Sequence, residues 1–375
     1  MRPRWWSIHR DERGATLAFV AVIIFVLIGV LALSADFGAL YVDRRRMVNA
    51  ADAAALSAAL TYAKKDAVCG TNDAPAKTQA DSLATANTST ATPGDSKNQN
   101  PFVTDCGHKR VTVTYHLEHK YLFAGAIGFD STPVVARATG HWGPAGGAGG
   151  VLPVMVSSGR LTNCNIPNPT GTTDCYFYVN NGGSGYGTAS WALLNVQPTC
   201  AQAQYGWNVS VSQCSQKVSN PNPTYNCPGW GDSSLRDLIL NGSGNLTVDP
   251  SGHTYVCLVS GQHVPTFRDI QGLAGKVRLF PVNYPNGQIK KGGVLCPPPN
   301  CSPDFWDIIG FIQMRIIEVL RGGPNPNWPA QCLALGIPDS NAWCMHATWL
   351  GYTPVPGPIC DTCQDFGVEA IGLRG

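Results

Sequence analysis

Charge is scarce in this chain. Asp, Glu, Lys and Arg make up 13% of its 375 residues, and the formal net charge is only +2. Globular chains carry about 25% charged residues. A nucleic-acid surface needs a concentrated basic face, so no nucleic-acid partner is expected. Several motifs of common chemistries are also missing. Gly182-Gly-Ser184-Gly-Tyr186 and Asn241-Gly-Ser243-Gly both fail the G-x-S-x-G nucleophile pattern. H-E-x-x-H and the phosphate-binding P-loop are absent. Gly183-Ser-Gly185-Tyr-Gly187 has no preceding fingerprint strand and reads as a turn. With Gly 41 and Pro 28 the chain is turn-rich, but ten Trp supply bulk for a folded core.

What is abundant points outside the cytosol. Fourteen cysteines run from Cys69 to Cys363, an even number spread over the chain. Disulfides persist mainly in oxidising compartments. The disulfide candidates are Cys69, Cys106, Cys164, Cys175, Cys200, Cys214, Cys227, Cys257, Cys296, Cys301, Cys332, Cys344, Cys360 and Cys363. Connectivity does not follow from sequence. A bridge from Cys69 to Cys106 would close the polar stretch between them into a loop.

One segment has no charge at all. Ala15 to Ala35 holds 21 residues, about 32 Å of helix, enough for the ~30 Å hydrocarbon core. Arg2, Arg4, Arg10 and Arg13 precede it, with Trp5 and Trp6; Asp36, Asp43 and Arg44 to Arg46 follow. Both flanks are basic. Because every cysteine follows the segment, the N-terminus is expected in the cytoplasm and the bulk outside, in a single pass. Three readings compete: a secretory signal peptide, a plain signal anchor, and a prepilin-type leader cut between Gly14 and Ala15. Residues 36–65 are Ala-rich and lack Pro, so the helix should run on to about residue 63, a rod of roughly 70 Å. Ala50, Ala51, Ala54, Ala55 and their neighbours form a small face on which partner helices could approach closely.

The order of these residues carries a resemblance. Arg13-Gly14, an apolar helix, Asp36-Phe-Gly, Tyr41, Arg44-Arg45-Arg46 and Asn49-Ala50-Ala51-Asp52-Ala-Ala54-Ala55-Leu56 resemble the N-terminal segment of TadG-like proteins of the Flp (tight adherence) pilus system. The resemblance covers about residues 13–60. It implies a bacterial envelope protein, anchored in the bilayer and working in pilus assembly or adhesion beside other pilin-like proteins. Major pilins usually carry Glu five residues after the cut; here Phe19 stands there. Some members of the family carry a metal site of the form D-x-S-x-S, which Asp232-Ser-Ser does not match.

The fold class expected is α+β: a long N-terminal transmembrane helix, a small α/β module, then a β-rich, disulfide-stabilised outer domain. Residues 1–14 read as a basic leader, 15–65 as the helix, and 66–142 as a polar connector plus the small module. Residues 143–150 read as a Gly-rich flexible linker, 151–320 as the β-rich domain and 321–375 as a Cys/Pro-rich tail. Within the connector a short helix is expected near Gln79 to Ala86. Strands are expected at Val111–Tyr115 and Thr132–Ala138, with a short helix in the apolar stretch between them. In the outer domain they are expected at Val151–Val156, Tyr176–Val179, Trp191–Val196, Tyr255–Val259, Lys276–Pro281 and Ile308–Val319.

Other candidate sites are weak. Cys360-Asp-Thr-Cys363 has the C-x-x-C spacing but sits among prolines, so a local disulfide is expected rather than a redox centre. Cys296 and Cys301 form a similar pair. His116 and His119 would face opposite sides of a strand, and His141, His253, His263 and His346 have no carboxylate at ligand spacing. No metal and no cofactor is expected. Trp191, Trp207, Trp230, Trp306, Trp328, Trp343 and Trp349 could stack on sugars or fill a core poor in aliphatics. The expected function is therefore structural and non-catalytic. The alternative is an anchored extracytoplasmic carbohydrate-binding protein or hydrolase that uses a pilin-like anchor.

Overall fold

The computed structural model describes residues 13–94, 100–167, 173–180, 191–193, 232–241, 245–248, 254–257, 264–290, 294–295, 305–322, 328–335 and 342–374. Its first element is a 51-residue helix, α1 (Arg13–Ala63). No Pro interrupts the helix, and Ala and Leu carry its propensity. The long apolar helix, the strand-rich sheets after it and several disulfide pairs agree with the α+β expectation.

From Met47 to its end α1 is largely covered by its own chain. Helix α2 (Ala74–Asn87) places Ala76, Ala80 and Ala84 at i, i+4 and i+8, all fully buried. Composition suggests a loose connector there with a helix from Gln79; the helix begins five residues earlier and is packed. Its stripe consists of methyl groups, which add little to an apolar count but let α2 lie close on the Ala face of α1. Two short strands follow, β1 (Thr92–Pro93) and β2 (Phe102–Asp105), and then two long ones, β3 (Arg110–Lys120) and β4 (Ser131–Pro144). A 3-10 turn, Ala124–Ile127, lies between the long strands. β3 alternates, burying Val111, Val113, Tyr115, Leu117 and His119 against the helix. Opposite them on β4 sit Gly140, Ala138, Ala136, Val134 and Thr132.

The glycine-rich stretch is where the structure departs most from composition. The run from Gly143 was expected to be a flexible linker. Instead Gly143 belongs to β4, Gly147–Gly149 form β5, and 141–148 are buried. Glycine is required there by close approach rather than by mobility. A Cβ on Gly143 would sit 2.8 Å from the Ile359 side chain, and one on Gly146 would meet Cys360 at 3.0 Å.

The outer body contains β6 (Val154–Ser157), α3 (Ser158–Asn163), β7 (Thr173–Asn180), β8 (Trp191–Leu193), α4 (Asp232–Asn241), β9 (Asn245–Thr247) and β10 (Thr254–Cys257). There follow α5 (Val264–Gln271), β11 (Val277–Lys290), β12 (Val294–Leu295), β13 (Phe305–Arg321), α6 (Ala330–Leu333), β14 (Ala342–Trp349), β15 (Thr353–Val355) and β16 (Val368–Arg374). Among the described residues, eight of these strands make one sheet. Its main order is β7-β14-β13-β11-β6-β8, with β10 on β13 and β12 on β11. β5 and β9 form a separate ribbon.

The C-terminal residues are not a tail. β14 is an inner strand of the large sheet, between β7 and β13. β16 returns to the first sheet and pairs antiparallel with β4 from Glu369↔Pro144 to Arg374↔Thr139. That sheet runs β1-β3-β4-β16-β15, with β2 also on β3. The last strand therefore completes the module that the long helix packs on. Disulfides join Cys69 to Cys106, Cys164 to Cys175, Cys332 to Cys344 and Cys360 to Cys363. Cys200, Cys214, Cys227, Cys296 and Cys301 lie outside the described residues, as does the side chain of Cys257.

Candidate anchoring and assembly site

Helix α1 divides into two zones. From Leu17 to Ala35 it touches almost nothing. Leu17 is 76% exposed, Phe25 80% and Leu31 69%. Such a run in water would be an aggregation site; in a bilayer it is the solvated state. The helix is long and apolar enough to cross a membrane. Gly14 and Ala15 lie in its first turn, and Phe19 is exposed.

From Asp36 outward, four polar contacts tie the helix to the body. Asp36 is 4% exposed. Its carboxylate accepts backbone N–H bonds from Leu122 (2.8 Å), Phe123 (3.1 Å) and Ala124 (2.7 Å), at the start of the 3-10 turn. Burial pushes this carboxyl up, but the N–H groups of Ala124, Leu122 and Phe123 together outweigh it and hold it below its usual value. Two turns further, Asp43 meets Nδ1 of buried His119 at 2.7 Å and Arg46 at 3.6 Å. Near the helix end, Tyr62 donates to Asp73 at 2.6 Å and stacks on Trp142 at 4.5 Å. Burial, then Asp73, raises the Tyr62 phenol far above its ordinary value.

The fourth contact lies just past the helix. Lys65 Nζ reaches Glu369 at 3.1 Å and Asp365 at 3.2 Å, and sits 4.6 Å from the Tyr352 ring. Glu369 is fully buried. Burial first, then Asp365, pushes its carboxyl up to about 7 against the opposing pull of Lys65. The first ordered turn beyond α1 is thus locked to the last strand of the chain.

The small face does something other than the sequence suggests. Ala50, Ala51, Ala54 and Ala55, expected to receive partner helices, are all 0% exposed and pack inside their own module. A Cβ on Gly140 of β4 would overlap the Ala55 carbonyl oxygen and meet the Ala59 Cβ at 3.1 Å. The face is small because helix and sheet touch backbone to backbone. Asp52 and Leu56 are half-buried beside it. Of the motif residues, Tyr41, Arg44, Arg45, Arg46 and Asn49 remain exposed. Gly38, Val42, Arg45 and Asn49, spaced i, i+4, i+7 and i+11, make one uncovered stripe.

The remaining candidates dissolve into structure. Cys360 and Cys363 are bonded to each other in a loop. His116 turns away from His119, with its Nδ1 2.8 Å from the Gly94 carbonyl oxygen. His141 and His346, which have no acid nearby in sequence, meet Asp361 at 3.1 Å and Asp174 at 3.7 Å across the fold. Among the described residues, no three His, Cys, Asp or Glu side chains are placed to hold a metal ion. Trp306, Trp328, Trp343 and Trp349 are 1%, 6%, 1% and 0% exposed, so none offers a face to a sugar. The side chain of Trp191 and all of Trp207 and Trp230 fall outside the described residues, as do His253, His263 and the Gly183–Gly187 loop.

Residues 14–61 match the family model described as Flp pilus-assembly TadE/G-like. The match ends within two residues of the end of α1. No curated protein and no solved structure matches the chain. The matched segment supports a membrane protein related to Flp/Tad pilus assembly.

Proposed function

We propose that the chain is a structural, non-catalytic component of Flp/Tad-type pilus assembly or surface adhesion. In this reading α1 crosses the membrane once, with a cytoplasmic N-terminus and the disulfide-bonded body outside. The observation that carries it is the family match over 14–61, on a helix whose apolar half is bare and whose outer half is clamped. A helix held at Asp36, Asp43, Tyr62 and Lys65 moves with the body, so the body is displayed at a fixed height rather than on a loose tether. The four described disulfides support an oxidising side for the body.

Contacts with other pilus components then fall to surfaces the body leaves free. On the described part of α1 they include the bare span and the Gly38, Val42, Arg45 and Asn49 stripe, but not the buried Ala face. Site-specific crosslinking from Val42 and Asn49, in cells expressing the Flp/Tad assembly proteins, tests this. Adducts with an assembly protein at both positions, lost on Gly38→Leu, are expected. Adducts that form only with unrelated membrane proteins would refute the assembly role.

A further inference from the structure

Beside the point where α1 leaves the apolar run, the body exposes a second apolar surface. Leu122 is 81% exposed, as bare as Phe25 within the span at 80%. Phe123 is 47% and Phe129 65% exposed, and Phe37 on the helix is 64% exposed. These residues do not hang free. The Asp36 carboxylate holds the N–H groups of residues 122–124. Phe129 donates from its backbone to the Ala124 carbonyl at 3.1 Å, and Gly128, at φ +92, closes the turn.

Height follows from helix geometry. Asp36 is one residue past Ala35, about 1.5 Å along the axis. The interfacial layer extends roughly 5–7 Å beyond the hydrocarbon edge on each side. A loop whose backbone is bonded to Asp36 is therefore fixed within that layer. Next to it a groove of about 560 Å³ opens between α1 and the 121–135 segment, lined by Phe37, Leu40, Tyr41, Arg44, Tyr121 and Val134. Its wall is mostly apolar, with Thr132 as a neutral polar group and Arg44 as its one charged residue; Arg44 forms no ion pair among the described residues. Arg44 lines the same groove as Leu40 and Phe37, one and two turns nearer the span, and helical side chains lean toward the N-terminus, so its long stem can carry the guanidinium down toward the phosphate layer as a snorkelling cation does.

We infer that the body is seated on the bilayer by a second, non-spanning contact. Leu122, Phe123 and Phe129 insert into the interfacial layer, and the adjacent groove takes a phospholipid whose phosphate meets Arg44. The occupant is lipid of the membrane that α1 crosses, because the clamp leaves these residues at that depth and nowhere else. This rests on α1 being a membrane span. It adds that the body is oriented by the surface as well as by the helix.

The test uses the full-length chain in vesicles of phosphatidylethanolamine and phosphatidylglycerol carrying a clickable phospholipid. Benzoylphenylalanine replaces Leu122, Phe129 or Tyr41 in turn. Leu27 serves as the mid-span reference, and Val68, beyond the outer end of α1 and roughly 40 Å from Asp36 by helix rise, as the distant one. Lipid adducts at 122 and 129 within about threefold of Leu27, and at least tenfold above Val68, are expected. Arg44→Glu should cut the Tyr41 adduct at least threefold and leave Leu27 unchanged. Adducts at Leu27 with none at 122 and 129, or with protein instead of lipid there, would overturn the inference while leaving the span intact. Absence at Leu27 as well would remove the span itself.

Discussion

Gly140→Ala is the most informative single substitution in the module. The added methyl group would overlap the Ala55 carbonyl oxygen, lie 2.9 Å from the Ala55 carbon and 3.1 Å from the Ala59 Cβ. Carbon atoms prefer about 3.5–4 Å. The obstacle is helix backbone, and no rotamer change relieves it. Nor can α1 swing away, because Asp36, Asp43, Tyr62 and Lys65 pin it along its length. Overpacking a well-filled core costs roughly 1–3 kcal/mol; a rigid obstacle puts this site at about 3 kcal/mol. That is a large part of a typical stability of about 5–15 kcal/mol. At 1.36 kcal/mol per decade, local opening should become roughly 100-fold more frequent. Hydrogen exchange read by mass spectrometry on full-length protein in micelles should therefore quicken about 100-fold in β3, β4 and residues 47–63. Gly149→Ala, with no atom within 4 Å, is the control and should not change. Exchange within threefold of the parent chain in Gly140→Ala would mean that helix and sheet are not in contact, and that the Ala face is free after all.

Three further outcomes follow from the same contacts. Asp36→Asn keeps the shape but removes the charge, so the amides of Leu122, Phe123 and Ala124 should exchange at least tenfold faster at pH 7. Because this carboxyl is held below its ordinary 3.8, its contribution is full above that value and is lost as pH falls below it; the two proteins should converge in acid. Glu369 is raised from 4.5 to about 7, so the folded chain binds this proton more tightly than the unfolded one. Stability should fall as pH rises from about 4.5 to 7 and then level off, and Glu369→Gln should remove that slope in denaturant titrations. Replacing Cys69 and Cys106 by Ser opens a bridge of sequence separation 37. Chain entropy puts the loss at about 4 kcal/mol, read as a lower denaturant midpoint and faster proteolysis of 66–105; an unchanged midpoint would refute the bridge's role.

Much of the architecture was legible because its signals are local. The uncharged run and the unbroken Ala-rich stretch mark α1 to within two residues at its start and at its end. Period-two alternation marks β3. What stayed hidden depends on distant partners. Asp36 stands out in the motif order, yet its role needs residues 122–124, more than eighty positions away. The Ala face was legible as a packing face, but not which partner it packs on, since a neighbouring molecule and the chain's own sheet ask for the same small residues. Gly143, Gly146 and Gly147 read as flexible because composition does not distinguish a linker from backbone pressed against Ile359, Cys360 and Pro358. β14 and β16 intersperse Ala, Met, Cys and Gly among their Trp, Thr, Val and Ile, which dilutes the strand signal. They become strands because each fills a place in a sheet built from earlier segments.

The most direct test of the account is to count Flp pili, and surface attachment, on cells lacking this chain and on cells complemented with the parent or with Gly38→Leu. Loss of pili or attachment, restored by the parent chain and not by the variant although it is inserted at normal abundance, is the predicted result. Normal pili and attachment without the chain would contradict a role in pilus assembly or adhesion.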